Sequence, residues 1–205
     1  MGLFRIFLRC GYREHLFSED NTMTDHTNTK IRLARDGDAA GIQAIMAWFI
    51  GHTTSSWRYR AMDLEETAAW LQKHLDTPEH QVWVAAVQDR IVGYSCLSDF
   101  RAPEGYWPSA ENSIYVLPEY AGQGIGKQLM RRILDQAAKS NLQTIVAAID
   151  SGNEASIRFH EQFGFVVSGR LPRVGWKQDR WLDLVLMTCD VNGLRQKTPE
   201  EAKSG

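Results

Sequence analysis

Gly122, Gly124, Gly126 and Lys127 are spaced for holding phosphate. They close the stretch Ser113-Ile-Tyr-Val-Leu-Pro-Glu-Tyr-Ala-Gly-Gln-Gly-Ile-Gly-Lys127. Residues without a Cβ let the main chain approach a ligand closely and take positive φ. A helix starting just after them aims the unpaired N–H groups of its first turn, at the positive end of its dipole, into the same space. Strand, glycine loop and helix N-terminus together make a site for a phosphate-bearing cofactor. The spacing excludes two other phosphate loops. The dinucleotide fingerprint places its third glycine later and needs an acidic residue after the second strand, and a P-loop needs Ser or Thr after its lysine.

Two titratable residues stand out beside this loop. Glu111 precedes the apolar run 114–117, and His160 follows Ser156 by four positions, between Phe159 and Phe163. On spacing alone Glu111 reads as an ordinary strand-edge carboxylate. His160 reads equally as a histidine packed against a sheet or as a proton carrier, since its unperturbed pKa lies near 6.5.

The elements that must position these residues follow from periodicity. Ile31–Ala34 is a first strand, and Asp36 caps a helix with Ala39, Ile42, Ile45, Met46 and Phe49 on one face. Residues 51–62 lack a period and read as a loop. Asp63 opens a second helix with an apolar face of Leu64, Ala68, Leu71 and Leu75. Gln81–Val87 and Arg90–Ser98 form a hairpin, and a Pro- and Gly-bearing link leads to the central strand. The helix after the glycine loop buries Ile125, Leu129, Met130, Ile133, Leu134 and Ala137. Gln143–Asp150 is a buried strand, Glu154–Gln162 a short helix with Asn153 as N-cap, and Val166–Arg170 and Trp181–Asp190 are closing strands, with Trp181 and Leu182 in the core. The order β-α-α-β-β-β-α-β-α-β-β describes an α/β (α+β) domain, a mixed sheet flanked by helices.

With 205 residues, 43% of them hydrophobic, the chain suits one domain with a full core. The net charge of −2 offers no basic field for nucleic acid. Cys10, Cys96 and Cys189 are scattered and odd in number, which favours a reducing cytoplasm and gives no zinc pattern. No apolar run approaches membrane-spanning length. Residues 1–29 read as a disordered or mis-called extension with Met23 as a plausible start, 30–191 as the folded domain, and 192–205 as a flexible tail.

The glycine stretch resembles the acetyl-CoA loop of the GNAT superfamily of N-acetyltransferases. The resemblance continues in Asn153-Glu-Ala-Ser-Ile-Arg-Phe-His-Glu-Gln-Phe-Gly-Phe165 and Gly175-Trp-Lys-Gln-Asp-Arg-Trp-Leu-Asp-Leu-Val-Leu-Met187. These two, with Glu111-Asn-Ser-Ile-Tyr-Val116, are most similar to the phosphinothricin and methionine sulfone acetyltransferase branch. The resemblance implies a mostly antiparallel sheet whose central strand bulges and splays from its neighbour. It implies acetyl-CoA as co-substrate, no metal, a small-molecule amine acceptor and a homodimer with the acceptor site near the subunit contact.

Acetyl transfer to an amine must remove an ammonium proton, offer donors to an oxyanion and return a proton to a thiolate. The resemblance assigns the first task to Glu111, acting through water or with a raised pKa. It places His160 near the thioester, either as the proton source for the thiolate or as packing that orders the cofactor. Tyr115, Val116 and Leu117 become backbone contacts for the acetyl and pantetheine oxygens. Gln123, Gly124, Ile125, Gly126, Lys127 and Gln128 become the pyrophosphate cradle, and Asn153 a contact for the pantetheine arm or adenylate. Ala121 replaces the Gln or Arg of the superfamily pattern and implies weaker loop support. Asn112 stands where close relatives often carry histidine.

The acceptor would be the α-amino group of a phosphinothricin, methionine sulfoximine or methionine sulfone type of amino-acid analogue. Arg101, Ala102, Pro103 and Glu104 fit the pocket rim, Asn112 and Ser113 complete it, and Arg58, Tyr59, Arg60 and Arg173 are further options. The alternatives are another amine, such as a peptide N-terminus or polyamine, and a non-catalytic acyl-CoA sensor.

Overall fold

A computed structural model describes residues 29–195. The expectations for residues 1–28, including Met23 and Cys10, and for 196–205 lie outside the described residues. The elements are β1 (Thr29–Leu33), α1 (Ala39–His52), α2 (Leu64–Leu75), β2 (Trp83–Val87), β3 (Arg90–Asp99), β4 (Ser109–Val116), α3 (Ile125–Ala138), β5 (Thr144–Asp150), α4 (Glu154–Glu161), β6 (Val166–Lys177), β7 (Arg180–Asp190) and a terminal turn, α5 (Val191–Arg195). This is the expected order, extended by α5. The Arg195 guanidinium donates to the carbonyls of Ala138, Ser140 and Leu142, so the folded part runs past Val191.

One seven-stranded sheet has the order β1-β2-β3-β4-β5-β7-β6. Every neighbouring pair is antiparallel except β4 and β5. These two strands pair only at Ser109↔Thr144, Ala110↔Ile145 and Glu111↔Val146. Beyond that point β4 stays in register with β3 as far as Val116, while β5 stays in register with β7 as far as Asp150. Each strand follows its antiparallel partner, and the sheet splits between them. The split needs no bulge in β4, whose pairing with β3 shows no register shift; in that respect the expected central-strand bulge is corrected.

The helices cover both faces. On one, Ile42 and Ile45 of α1 and Leu71 of α2 pack against Val84, Tyr94 and Cys96. On the other, Met130, Ile133, Leu134 and Ala137 of α3 join Phe163, Phe165, Val185 and Met187, while Ile125 and Leu129 pack on Ala85 and Val92. All six apolar positions expected on α3 are buried. Each buried Leu or Ile contributes on the order of 1.5–3 kcal/mol through removal from water.

Four local expectations are corrected. Asp36 begins a single 3-10 turn, and it is Asp38 that stands at the N-cap of α1. The Asp38 carboxylate takes two bonds from the Arg32 guanidinium (2.6 and 2.8 Å), which fixes β1 to the helix start. The buried stripe of α2 is Thr67, Leu71 and His74 rather than Leu64, Ala68, Leu71 and Leu75, and Leu64 is exposed. The polar members enter because their groups are satisfied: Thr67 donates to Asp63 O, and the His74 ring meets Trp70 O and Ser98 Oγ. Strand β6 continues to Lys177, because the irregularity at Pro172 and Arg173 is absorbed as a register shift between Leu171 and Gly175. Leu182 is core as expected, but Trp181 is half exposed, with its ring edge-on to Trp176.

Candidate active site

A cleft of about 1770 Å³ opens where β4 and β5 part. One wall is the loop and helix that follow β4. Gly122 and Gly124 have φ of 77° and 78°, in the left-handed region that glycine takes without strain. Gly124 is the N-cap of α3 and supplies no side chain to its amides. The first helical bond runs from Gln128 N–H to Gly124 O (3.1 Å), which leaves the amides of Ile125, Gly126 and Lys127 without an acceptor inside the helix. Lys127 and Arg131 bring positive charge to the same wall. Ala121 N–H donates to Pro118 O (3.0 Å), and the Gln123 side chain donates to Glu119 O (3.2 Å). These bonds brace the loop without a long side chain at Ala121.

The floor is the split itself. Leu117 donates to Val92 O and accepts from Tyr120 N–H, so its main chain is spent inside the protein and does not line the cleft. By the alternation of an antiparallel ladder, Tyr115 also turns its amide toward β3, and Val116 turns its own toward the space that β5 has left. Of the three expected main-chain contacts, Val116 alone keeps a donor facing the cleft. Tyr115 contributes its ring instead.

Alternation also separates the two chemical candidates. Glu111, Ser113 and Tyr115 lie opposite Ser98, Cys96 and Tyr94 and share the face covered by α1 and α2. Asn112 points to the other face, where its Nδ2 donates to His160 Nε2 at 3.0 Å. His160 Nδ1 donates to Ser156 O at 2.8 Å, which fixes the proton on Nδ1 and leaves Nε2 as acceptor. His160 is buried, and that burial pushes its pKa down against the Ser156 bond. Glu111 and His160 therefore flank the split from opposite sides of β4, linked through Asn112.

Glu111 occupies the last β4–β5 pair, at the apex of the cleft. Burial raises its pKa, with the Arg101 charge opposing. A carboxylate with a raised pKa is a better base for an ammonium group than an ordinary one. Beside it, burial pushes Cys96 and Tyr115 up to about 12, so both stay protonated near neutrality. Tyr115, Tyr94 and Phe49 pack as tilted rings into an aromatic wall, with ring centroids 5.4 Å apart for the tyrosines and 4.9 Å for Phe49 and Tyr115.

Arg101, Ala102, Pro103 and Glu104 are exposed and do not line the cleft. The Arg101 guanidinium lies over the Phe100 ring, 5.1 Å from its centroid, and reaches Glu111 only through its field. Of the four further arginine and tyrosine options, Arg58 lines the cleft. Arg60 is paired with Glu66, Tyr59 donates to Trp176 O, and Arg173 lies over Trp181. Asn153 caps α4 through Ser156 N–H (3.1 Å) and donates to Ser55 Oγ (3.3 Å), so it serves as cap and lines the cleft together. Ser55, Ser56 and Trp57 also line the cleft, and an aperiodic segment gave no sequence signal for them.

The profile of the acetyltransferase (GNAT) family matches residues 42–165. The chain belongs to the GNAT family. It is 35% identical over 168 residues to the L-methionine sulfoximine/L-methionine sulfone acetyltransferase of Pseudomonas paraeruginosa, covering 82% of this chain and 98% of that one. It is 33% identical to the phosphinothricin N-acetyltransferase of Alcaligenes faecalis, covering 83% and 86%. Among solved GNAT structures, yncA from Salmonella typhimurium with its cofactor acetyl-CoA is similar at a TM-score of 0.76 and 34% identity, covering 80% and 94%. The cleft of this GNAT chain fits such a cofactor on its own geometry. The amides of 125–127, with Lys127 and Arg131, suit a diphosphate, and the split beside Val116 suits an extended amide-bearing arm. No helix among the described residues is long and apolar enough to cross a membrane.

Proposed function

We propose that this GNAT protein is an N-acetyltransferase that moves acetyl from acetyl-CoA to the α-amino group of a small amino-acid analogue of the sulfone, sulfoximine or phosphinothricin type. The observation that carries the reading is Glu111, with a raised pKa, at the apex of a split sheet between a glycine-loop helix N-terminus and an aromatic pocket edged by Arg58. The names of the relatives support the acceptor class.

The bound coenzyme supplies an activated acetyl thioester. Glu111 takes the ammonium proton, directly or through one water, and frees the nitrogen lone pair for the new C–N bond. The Val116 amide donates to the acetyl oxygen as negative charge develops there. As the C–S bond breaks, the attacking nitrogen, now bonded to carbon, sheds its second proton to become the amide, and that proton passes through water to the sulfur, which leaves as the thiol. The Nδ1 proton of His160 is held by Ser156 O, so the role we assign it is to orient Asn112 beside the thioester. Arg58 pairs with the acceptor carboxylate, and Phe49, Tyr94 and Tyr115 cover its apolar stem.

The assembly we propose is a homodimer through the β6–β7 hairpin. The edge strand β6 and its partner leave Val166, Leu171, Val174, Trp176 and Trp181 exposed, apolar side chains along the free edge of the sheet whose covering by a second copy would also satisfy the strand edge. The buried thiol of Cys96, which is in no disulfide, suits the cytoplasm.

The test is thiol release from acetyl-CoA against a panel of amines. Release with methionine sulfone, but not with spermidine or a peptide, is the expected result. Saturable coenzyme binding without release for any amine would make the protein a sensor.

A further inference from the structure

Lys177 ends β6 and is 5% exposed, yet no carboxylate meets its ammonium among the described residues. Its Nζ donates to three main-chain carbonyls: Ile50 O at 2.7 Å, Thr53 O at 2.9 Å and Ser56 O at 2.5 Å. An ammonium has three N–H bonds, so its donors match its acceptors one for one. Ile50 lies in the last turn of α1, where the helix leaves carbonyls unpaired and its dipole favours a cation. Thr53 and Ser56 belong to the aperiodic segment after it, which carries Ser55, Ser56, Trp57 and Arg58 into the cleft.

Further ties join the same segment to the far half of the sheet. Trp57 packs against Gly175, two residues before Lys177, where an added Cβ would lie 2.5 Å from the indole. Tyr59 donates to Trp176 O, and Thr54 donates to Asp150 at the end of β5. The hairpin turn that holds Lys177 is itself tight, with Gln178 and Asp179 both at positive φ, the two-residue turn that matches strand twist.

The geometry points to Lys177 as a positioning residue for acceptor binding: from beneath, it fixes the segment 53–58 that forms the acceptor wall of the cleft. It touches neither reacting group. None of its three acceptors belongs to the glycine loop or α3, so the diphosphate cradle of the coenzyme does not depend on it. The inference rests on the acceptor reading given above for Arg58 and its neighbours.

The experiment compares the full chain with Lys177→Met, which keeps the aliphatic stem and removes the donors, and with Gly175→Ala, which drives the Trp57 ring off the hairpin. Acceptor KM and acetyl-CoA Kd are measured together with amide hydrogen exchange. Loss of three charge-assisted bonds should raise the KM for methionine sulfone by about tenfold or more while acetyl-CoA Kd stays within about twofold. Gly175→Ala should shift the same two constants the same way. Amides of 53–58 should exchange at least about tenfold faster in Lys177→Met, with α3 and β5 unchanged. An unchanged acceptor KM, or parallel losses of acceptor and coenzyme binding, overturns the assignment. If the parent protein turns over no amine, the function reading fails. Exchange at 53–58 then decides the role of Lys177 alone: unchanged protection there would overturn it.

Discussion

The Nε2 atom of His160 accepts a hydrogen bond from the side-chain amide of Asn112 across 3.0 Å, beneath the split in the sheet. The other amide atom, Asn112 Oδ1, is buried without a hydrogen-bond partner. Removing the imidazole would strand the amide nitrogen too, at a cost of about 1–3 kcal/mol for an unpaired buried polar group. His160→Ala should therefore slow turnover and lower stability, with the fold retained. In a double-mutant cycle with Asn112→Ala the two changes should couple by roughly 0.5–3 kcal/mol, as residues in direct contact do. Strict additivity would show that His160 acts independently of Asn112.

Glu111→Gln should lower turnover by about 10²–10⁴-fold and leave acetyl-CoA affinity unchanged. Burial raises the Glu111 pKa, so the parent's kcat/KM should fall as pH drops through a value above the ordinary glutamate range, and the variant should lose that limb. The same shift means that the ionised carboxylate is disfavoured in the fold. The glutamine variant should then unfold at a higher temperature than the parent at pH 8. A variant with parental activity would remove Glu111 from the chemistry.

Acid should destabilise the protein in the range just below 6.5. Burial lowers the pKa of His74, His80 and His160 in the fold. Above about 6.5 both folded and unfolded states hold these rings neutral, and the three add no pH dependence. As pH falls below that value the unfolded chain takes up protons first, so stability drops until the lowered folded values are reached. His160→Gln should flatten part of this slope between pH 6.5 and 5, read by thermal unfolding, and an identical slope would contradict the shift.

Gly124 needs its left-handed φ of 78° to start α3 at the mouth of the cleft. Gly124→Ala should cost roughly 1–2 kcal/mol of local strain. The expected readout is weaker acetyl-CoA binding by calorimetry, with acceptor KM little altered. Gly126 has no positive φ, and a Cβ there would meet the Phe159 ring at an ordinary 3.6 Å, so Gly126→Ala should be milder.

Trp176 and Trp181 expose 44% and 52% of their surfaces on the β6–β7 hairpin, and charge placed there should oppose self-association. Trp181→Lys should convert a dimer into monomer by analytical ultracentrifugation. A monomeric parent would refute the proposed dimer.

The glycine loop, α3 and the core of the sheet were legible because their signals are local. A 3.6-residue apolar stripe and clustered glycines need no knowledge of distant partners. The acceptor pocket was less so. Arg101 looked well placed because it lies near β4 in sequence, yet the link turns it outward onto Phe100. Lys177 and Trp57 gave no signal, since their meaning arises from contacts more than a hundred residues apart. Thr67 and His74 misled in the opposite sense, because polar residues whose bonds close locally can occupy positions that periodicity reserves for apolar ones.

Only three residue pairs join β4 to β5, so the sheet is mechanically two plates meeting at a short seam. The plate β1–β4 carries Glu111, and the plate β5–β7 carries the hairpin that fastens the loop at 53–58. Prising the plates apart would break few main-chain bonds at the seam itself, and a ligand lying along the gap would resist that opening as a wedge glued on both sides. Force applied across β4 and β5 should therefore rupture the empty protein at lower load than the filled one, with the difference confined to that seam.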